Sequence, residues 1–296
     1  MTNIEFIKVL FIFLFILGSV RINWRIIHVK VFAYLLGAFF TFIFLHWISL
    51  DFPSHRFKSI FRNPNYLAIL LLLMLYFKVL AIKFGNKISR IIFSPLILLN
   101  IILIYNTNSR AVLITIGIIL LTWLVLKKFP TFSTYLFPTT IIFNLLFLFT
   151  YINLPESKIG LFLNEKSIDI FGKNFFSGRQ VLWKDMLVQI NDKLFFGFGV
   201  GTRAGDITEY RLSSHNQYLQ LLTEVGLVGL IAFIVLLWSI WILLIKKNNF
   251  TSNLSASFLI GILVYESFEL SLFQNNYSIG LLMWLIMTIG INFKDK

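Results

Sequence analysis

Long apolar runs, separated by short polar or basic connections, make up most of the chain, and their internal order is helical rather than alternating. Nine runs can be drawn, at about 4–20, 31–50, 65–80, 91–105, 111–126, 135–152, 216–245, 254–273 and 276–291. A bilayer-crossing helix needs about 20 residues, whereas a barrel strand needs about half as many. The pattern therefore predicts an all-α polytopic transmembrane bundle of about nine spans, forming a single integral membrane domain over residues 1–296. The exception is a polar stretch, residues 153–214, which reads as one large loop holding short interfacial helices.

Charge orients the bundle. If connections alternate sides, one set holds Arg21, Arg25, Lys30, Lys78, Lys83, Lys87, Arg90, Lys127, Lys128, Lys246, Lys247, Lys294 and Lys296, and the short loops of the other hold Arg56, Lys58, Arg62 and Arg110. Thirteen basic residues against four place the first set in the cytoplasm and the second, with the 153–214 loop, outside. This arrangement puts Met1 outside behind a very short tail, or else implies a span upstream, and no cleavable signal peptide is evident. The abundance of Phe, Ile, Lys and Asn hints at an AT-rich bacterial genome and so at a bacterial cytoplasmic (inner) membrane.

Composition narrows the chemistry. With 58% hydrophobic and 13% charged residues, the chain cannot present the solvated surface of a soluble globule. Its net charge of +13 is dispersed among connections rather than gathered on one face, which argues for topology signals and against a nucleic-acid partner. Zero cysteines exclude thiolate chemistry, and His28, His46, His55 and His215 show no metal-ligand spacing. The expectation is chemistry without a metal or a cofactor.

The polar residues worth weighing gather at the outer face. Ser109-Arg110 stands at the mouth of the fifth run. In the loop, Ser177 and Gln180 have capping-box spacing, followed by an apolar stripe of Leu182, Trp183, Met186, Leu187 and Ile190, so a short helix is expected to lie on the interface or cap the bundle. Arg179 falls in its first turn, where guanidinium and free N–H groups together suit a phosphate or diphosphate; an arginine reaching for lipid phosphates is the plainer reading. Gly197, Gly199 and Gly201 predict a tight turn that brings backbone close to a ligand or to the bundle. Ser214 and Gln217 match a second capping box, putting His215 in the first turn of the seventh run, where it is suited to act as a general base; a polar residue at a helix entrance is the plainer reading. Gln220 and Glu224 follow on one helical face, and Glu266 and Glu269 in the eighth run pose the same need for a partner or a wet cavity. Asn63-Pro64-Asn65 reads as a helix cap with proline at the first position.

Three stretches carry a resemblance: NTNSRAVLITIGIILL, GRQVLWKDMLVQINDKLFFGFGVGT and HNQYLQLLTEVGLVGLIAFIVLL. In order and spacing they resemble the O-antigen ligase and Wzy-type polysaccharide polymerase family, over roughly residues 60 to 245, and FRNPNYLA resembles the family's Asn-Pro-Asn. Ala111 stands where the family usually has glycine, and the spans are fewer than in most members. The resemblance implies a glycosyltransferase that takes an undecaprenyl-diphosphate-linked glycan donor and a glycan acceptor at the outer face of the membrane, alongside other polysaccharide-assembly proteins. It implies His215, Arg179 and Arg110 as catalytic residues, with Ser109, Asn216, Gln220, Glu224, Trp183, Arg203 and Arg211 binding substrate. Polymerisation of lipid-linked repeats is the favoured reaction and ligation of finished glycan to lipid A core or protein the alternative. A lipid-linked sugar flippase, expected to show paired repeats or broken helices at mid-membrane, is the more distant one.

Overall fold

The computed structural model describes residues 3–172, 174–210, 212–273 and 276–294. Apart from a single parallel bridge between Trp24 and Phe293, its regular structure among the described residues is helical. The helices are α1 (Asn3–Arg21), α2 (Ile26–Ser49), α3 (Pro64–Phe84), α4 (Lys87–Thr107), α5 (Arg110–Lys128), α6 (Ser133–Asn153), α7 (Lys158–Phe171), α8 (Arg179–Asn191), α9 (Ala204–Ile207), α10 (Gln217–Lys247), α11 (Phe250–Tyr265) and α12 (Tyr277–Asn292).

Each of the nine apolar runs is wholly or largely helical, and among the described residues six segments are long and apolar enough to cross a membrane: α2, α3, α4, α5, Pro130–Asn153 and α10. This is fewer than the nine spans expected. The helices α11 and α12 have 16 residues each and rise only about 24 Å, less than the hydrocarbon thickness of about 30 Å. The eighth run, read as a span to residue 273, leaves the helix at Tyr265 and continues as buried irregular chain through Glu269 and Leu272. Non-helical backbone at that depth is tolerable because protein surrounds it.

Asparagine punctuates this fold. Asn63, Asn86, Asn216, Asn249 and Asn276 each cap a helix N-terminus through the side-chain oxygen, whereas Asn108 and Asn248 close α4 and α10 in the left-handed conformation. The Asn63 cap with Pro64 at the first position is as expected. Helix α3 occupies the centre, packed by α2, α4, α5 and α12, while α11 packs on α5 and α12. Small and hydroxylic residues let these helices close up: the Ser255 hydroxyl donates to the Ile286 carbonyl at 2.7 Å and meets the Tyr76 hydroxyl at 2.8 Å.

Helix α10 breaks at Gly226, whose φ of 64° and ψ of −165° are open only to glycine. The GFGVGT turn fills the break. Phe198 and Gly199 N–H groups donate to the Thr223 and Glu224 carbonyls at 2.7 and 3.0 Å, and Leu227 N–H donates to the Leu194 carbonyl at 2.9 Å. A Cβ on Gly197 would come within 2.7 Å of the Thr223 oxygen, and one on Gly226 would collide with the Phe195 carbonyl. Thus the turn approaches the bundle, the second of the two partners expected for it.

The segment between α6 and α10 carries α7, α8 and α9. The apolar stripe of α8 is buried: Leu182, Trp183, Met186 and Ile190 form a second small core with Leu148 of α6, Ala204 and Leu219 of α10. Of the two placements expected for α8, capping the bundle is the one found. By contrast, Ile159, Leu161, Phe162, Ile168 and Ile170 of α7 are exposed, an apolar surface that the described residues leave uncovered.

Candidate functional site

One cavity of about 380 Å³ opens at the end of the bundle where the α2–α3 and α4–α5 connections, the start of α8 and the chain after α11 meet. Its lining combines Arg56, Asn65, Arg110, Ser177, Arg179 and Glu269 with the aromatic side chains of Phe147, Tyr151, Phe175, Trp183 and Phe268. A patch of polar side chains with aromatic walls is the composition expected of a site for a polar ligand.

Its organising group is Glu269, which is fully buried. One carboxylate oxygen accepts from the Asn65 amide at 2.6 Å and lies 3.4 Å from the Arg179 guanidinium; the other lies 2.9 Å from His215 Nδ1. Arg179 is anchored further by donating to the Phe268 carbonyl at 2.8 Å. A buried carboxylate needs such partners, since leaving it uncompensated costs several kcal/mol. An ionised carboxylate only accepts, so with Glu269 in that form Nδ1 of His215 is the donor, and a neutral imidazole then has its lone pair at Nε2. Nε2 has no partner among the described residues, and the imidazole is 29% exposed. The arrangement can take a proton at Nε2 while Glu269 stabilises the resulting cation.

Two helix N-termini border the same cavity. Ser109 before α5 and Gly178 before α8 make no side-chain cap, so free N–H groups sit beside Arg110 and Arg179. The capping box expected from Ser177 is therefore absent, its hydroxyl lying 3.3 Å from that of Tyr151 instead, while Gly178 takes the cap position with φ of 83°. The second expected box is replaced too. Asn216 caps α10 by accepting from Tyr218 and Leu219 N–H at 3.0 and 3.1 Å, and His215 lies before the helix, at φ of 46°, rather than in its first turn. Asn is the stronger cap here because its oxygen reaches two orphan donors at once.

The other expected site residues are placed as follows. Trp183 lines the cavity and donates its indole N–H to the Ser214 carbonyl at 2.6 Å, which fixes the chain just before His215. Ser109 is buried, and its hydroxyl has no partner among the described residues. Asn216 also donates to the Ser267 carbonyl at 3.3 Å, tying α10 to the segment that bears Glu269. Gln220 donates to the Glu224 carboxylate and to the Thr202 carbonyl, both at 2.7 Å, so this pair clasps the glycine turn rather than lining the cavity. Arg203 is exposed at the start of α9, where Asp206 accepts from its backbone N–H at 2.7 Å. Arg211 lies outside the described residues. Among the described residues no cluster of three or more His, Cys, Asp or Glu side chains could hold a metal ion.

Comparison with known proteins bears on this constellation. A family model described as O-antigen ligase matches residues 95–234, the stretch that supplies Arg110, Arg179, Trp183 and His215. Over those residues the chain is similar to the O-antigen ligase family. No curated protein and no solved structure matches it. Asn65 and Glu269 both fall outside the matched residues. In the sequence Glu269 is legible as a carboxylate in an apolar run that either neutralises an arginine or acts directly, and Asn65 as the second asparagine of Asn-Pro-Asn.

Proposed function

We propose that this O-antigen ligase-like protein joins undecaprenyl-diphosphate-linked glycan repeats at the outer face of the cytoplasmic membrane, as a polysaccharide polymerase that uses neither metal nor cofactor. The observation that carries the reading is Glu269 bridging Arg179 and His215 at the wall of the cavity that Arg110 also lines. In the proposed reaction an acceptor hydroxyl gives its proton to His215 Nε2 as its oxygen attacks the anomeric carbon of the donor. The bond from that carbon to the diphosphate oxygen breaks, and the electron pair leaves with undecaprenyl diphosphate. Negative charge grows on the leaving diphosphate, where Arg110, Arg179 and the free N–H groups of α5 and α8 offset it. A single displacement inverts the anomeric centre. Tyr151 and Trp183 offer flat apolar faces to the sugar rings.

Ligation to lipid A core or protein is the second reading, favoured by the family description. A flippase fits less well: the break in α10 is filled by the chain's own glycine turn and presents no free backbone to a passenger. In cells, Arg179→Ala and His215→Ala should each abolish chain elongation while the protein stays at normal level in the membrane. Normal long polymer in both variants would remove the assignment. Deletion of a polymerase leaves single repeats on the acceptor, deletion of a ligase leaves long polymer on the lipid diphosphate, and a gel of surface glycan separates the two.

A further inference from the structure

Arg56 has no role in the reading above, yet it lines the same cavity as Arg110 and Arg179. It sits in the connection between α2 and α3 at φ of 50°, a left-handed conformation costly for a residue with a long side chain. The neighbours impose it. The His55 ring nitrogen meets the Asn108 amide at 2.9 Å, Phe57 N–H donates to the Asn106 carbonyl at 3.0 Å, and the Phe57 ring is buried. Both anchors lie at the C-terminal end of α4, two to four residues before Arg110, so Arg56 and Arg110 are held on one rigid corner.

Charge balance then distinguishes the arginines. Glu269 neutralises Arg179, whereas Arg56 and Arg110 form no ion pair among the described residues. A glycosyl polyprenyl diphosphate carries two negative charges, one on each phosphate, and the cavity holds two uncompensated guanidiniums. We infer that Arg56 is a donor-binding residue, pairing with Arg110 to hold the two phosphates of a lipid diphosphate, while Arg179 with Glu269 and His215 serves the reacting centre. The inference rests on the glycosyltransferase reading.

The test is binding of geranylgeranyl diphosphate, geranylgeranyl monophosphate and geranylgeraniol to the purified full chain in detergent, by thermophoresis, with thermal stability checked in parallel. The wild type should bind the diphosphate best and the alcohol least. Arg56→Ala should weaken diphosphate binding on the order of ten-fold to a hundred-fold, the scale of a lost charge-assisted contact, and narrow the preference over the monophosphate. Arg56→Lys should recover part of the loss, since it restores charge without the fork. Diphosphate affinity unchanged in Arg56→Ala, in a wild type that does bind the diphosphate, overturns the inference alone. A wild type that binds the diphosphate no better than the alcohol overturns the inference and the donor reading together.

Discussion

Left-handed backbone recurs near the cavity: Arg56 and Asn108, which line it, Gly178, which precedes Arg179, and His215, which meets Glu269, all have positive φ. A single such non-glycine residue costs on the order of 1 to 3 kcal/mol and persists only where its surroundings over-determine it. Here the payoff is direction, because His215 turned out of helical geometry can put Nδ1 on Glu269 and leave Nε2 open. Glu269 acts through two neighbours, which makes it a positioning residue. Glu269→Gln keeps the size of the side chain but removes the charge that orients the imidazole and holds Arg179. We expect turnover to fall about 100-fold or more with the donor KM little changed, and Glu269→Asp to retain more activity than Glu269→Gln. Equal loss in both variants, accompanied by a large drop in thermal stability, would reduce Glu269 to a structural group.

At the level of elements, two interruptions of helix stand out. One is the early end of α11 at Tyr265, after which the chain carries Glu269 toward Arg179 of α8 and so builds the site; the other is the break of α10 at Gly226, closed by the turn at Gly197 away from the cavity lining. The glycines at the α10 break differ from Gly172, which closes α7 at φ of 63° with open space around it. Gly172→Ala should therefore cost only about 1 kcal/mol, the price of a left-handed alanine. Gly226→Ala adds a backbone collision and should cost about 3 kcal/mol or more, read as a far larger drop in Tm in detergent. Similar drops for the two would show that the turn and the break are not locked together.

For the whole molecule, the arrangement of helices puts Arg56, Arg110, Arg179 and His215 at one end and Lys127, Lys128, Lys246 and Lys247 at the other. Which end faces outward is a prediction from charge. The chain has no cysteine, so single introduced ones report sidedness without a background. A cysteine replacing the exposed Glu156 should react with a membrane-impermeant maleimide in intact spheroplasts, whereas one replacing the exposed Lys128 should react only after permeabilisation. The reverse pattern would place the cavity in the cytoplasm and end the proposed reaction.

Apolar periodicity was sufficient to locate every long helix, because burying an uninterrupted apolar run in lipid or protein leaves helix as the local solution. Cap chemistry was legible at Asn63-Pro64, where one residue's oxygen competes with no rival, and misleading at Ser177 and Ser214, where a neighbouring Gly178 or Asn216 wins the cap position. Sequence also singled out Arg110, Arg179, Trp183 and His215, since polar groups beside apolar runs are costly and therefore conspicuous. It could not join them through Glu269 or Asn65, nor turn Arg56 into the cavity. Those pairings link residues up to 204 positions apart, and they depend on where α11 stops and how α8 docks on α6 and α10. Such decisions are made by packing across the bundle, on which local pattern is silent.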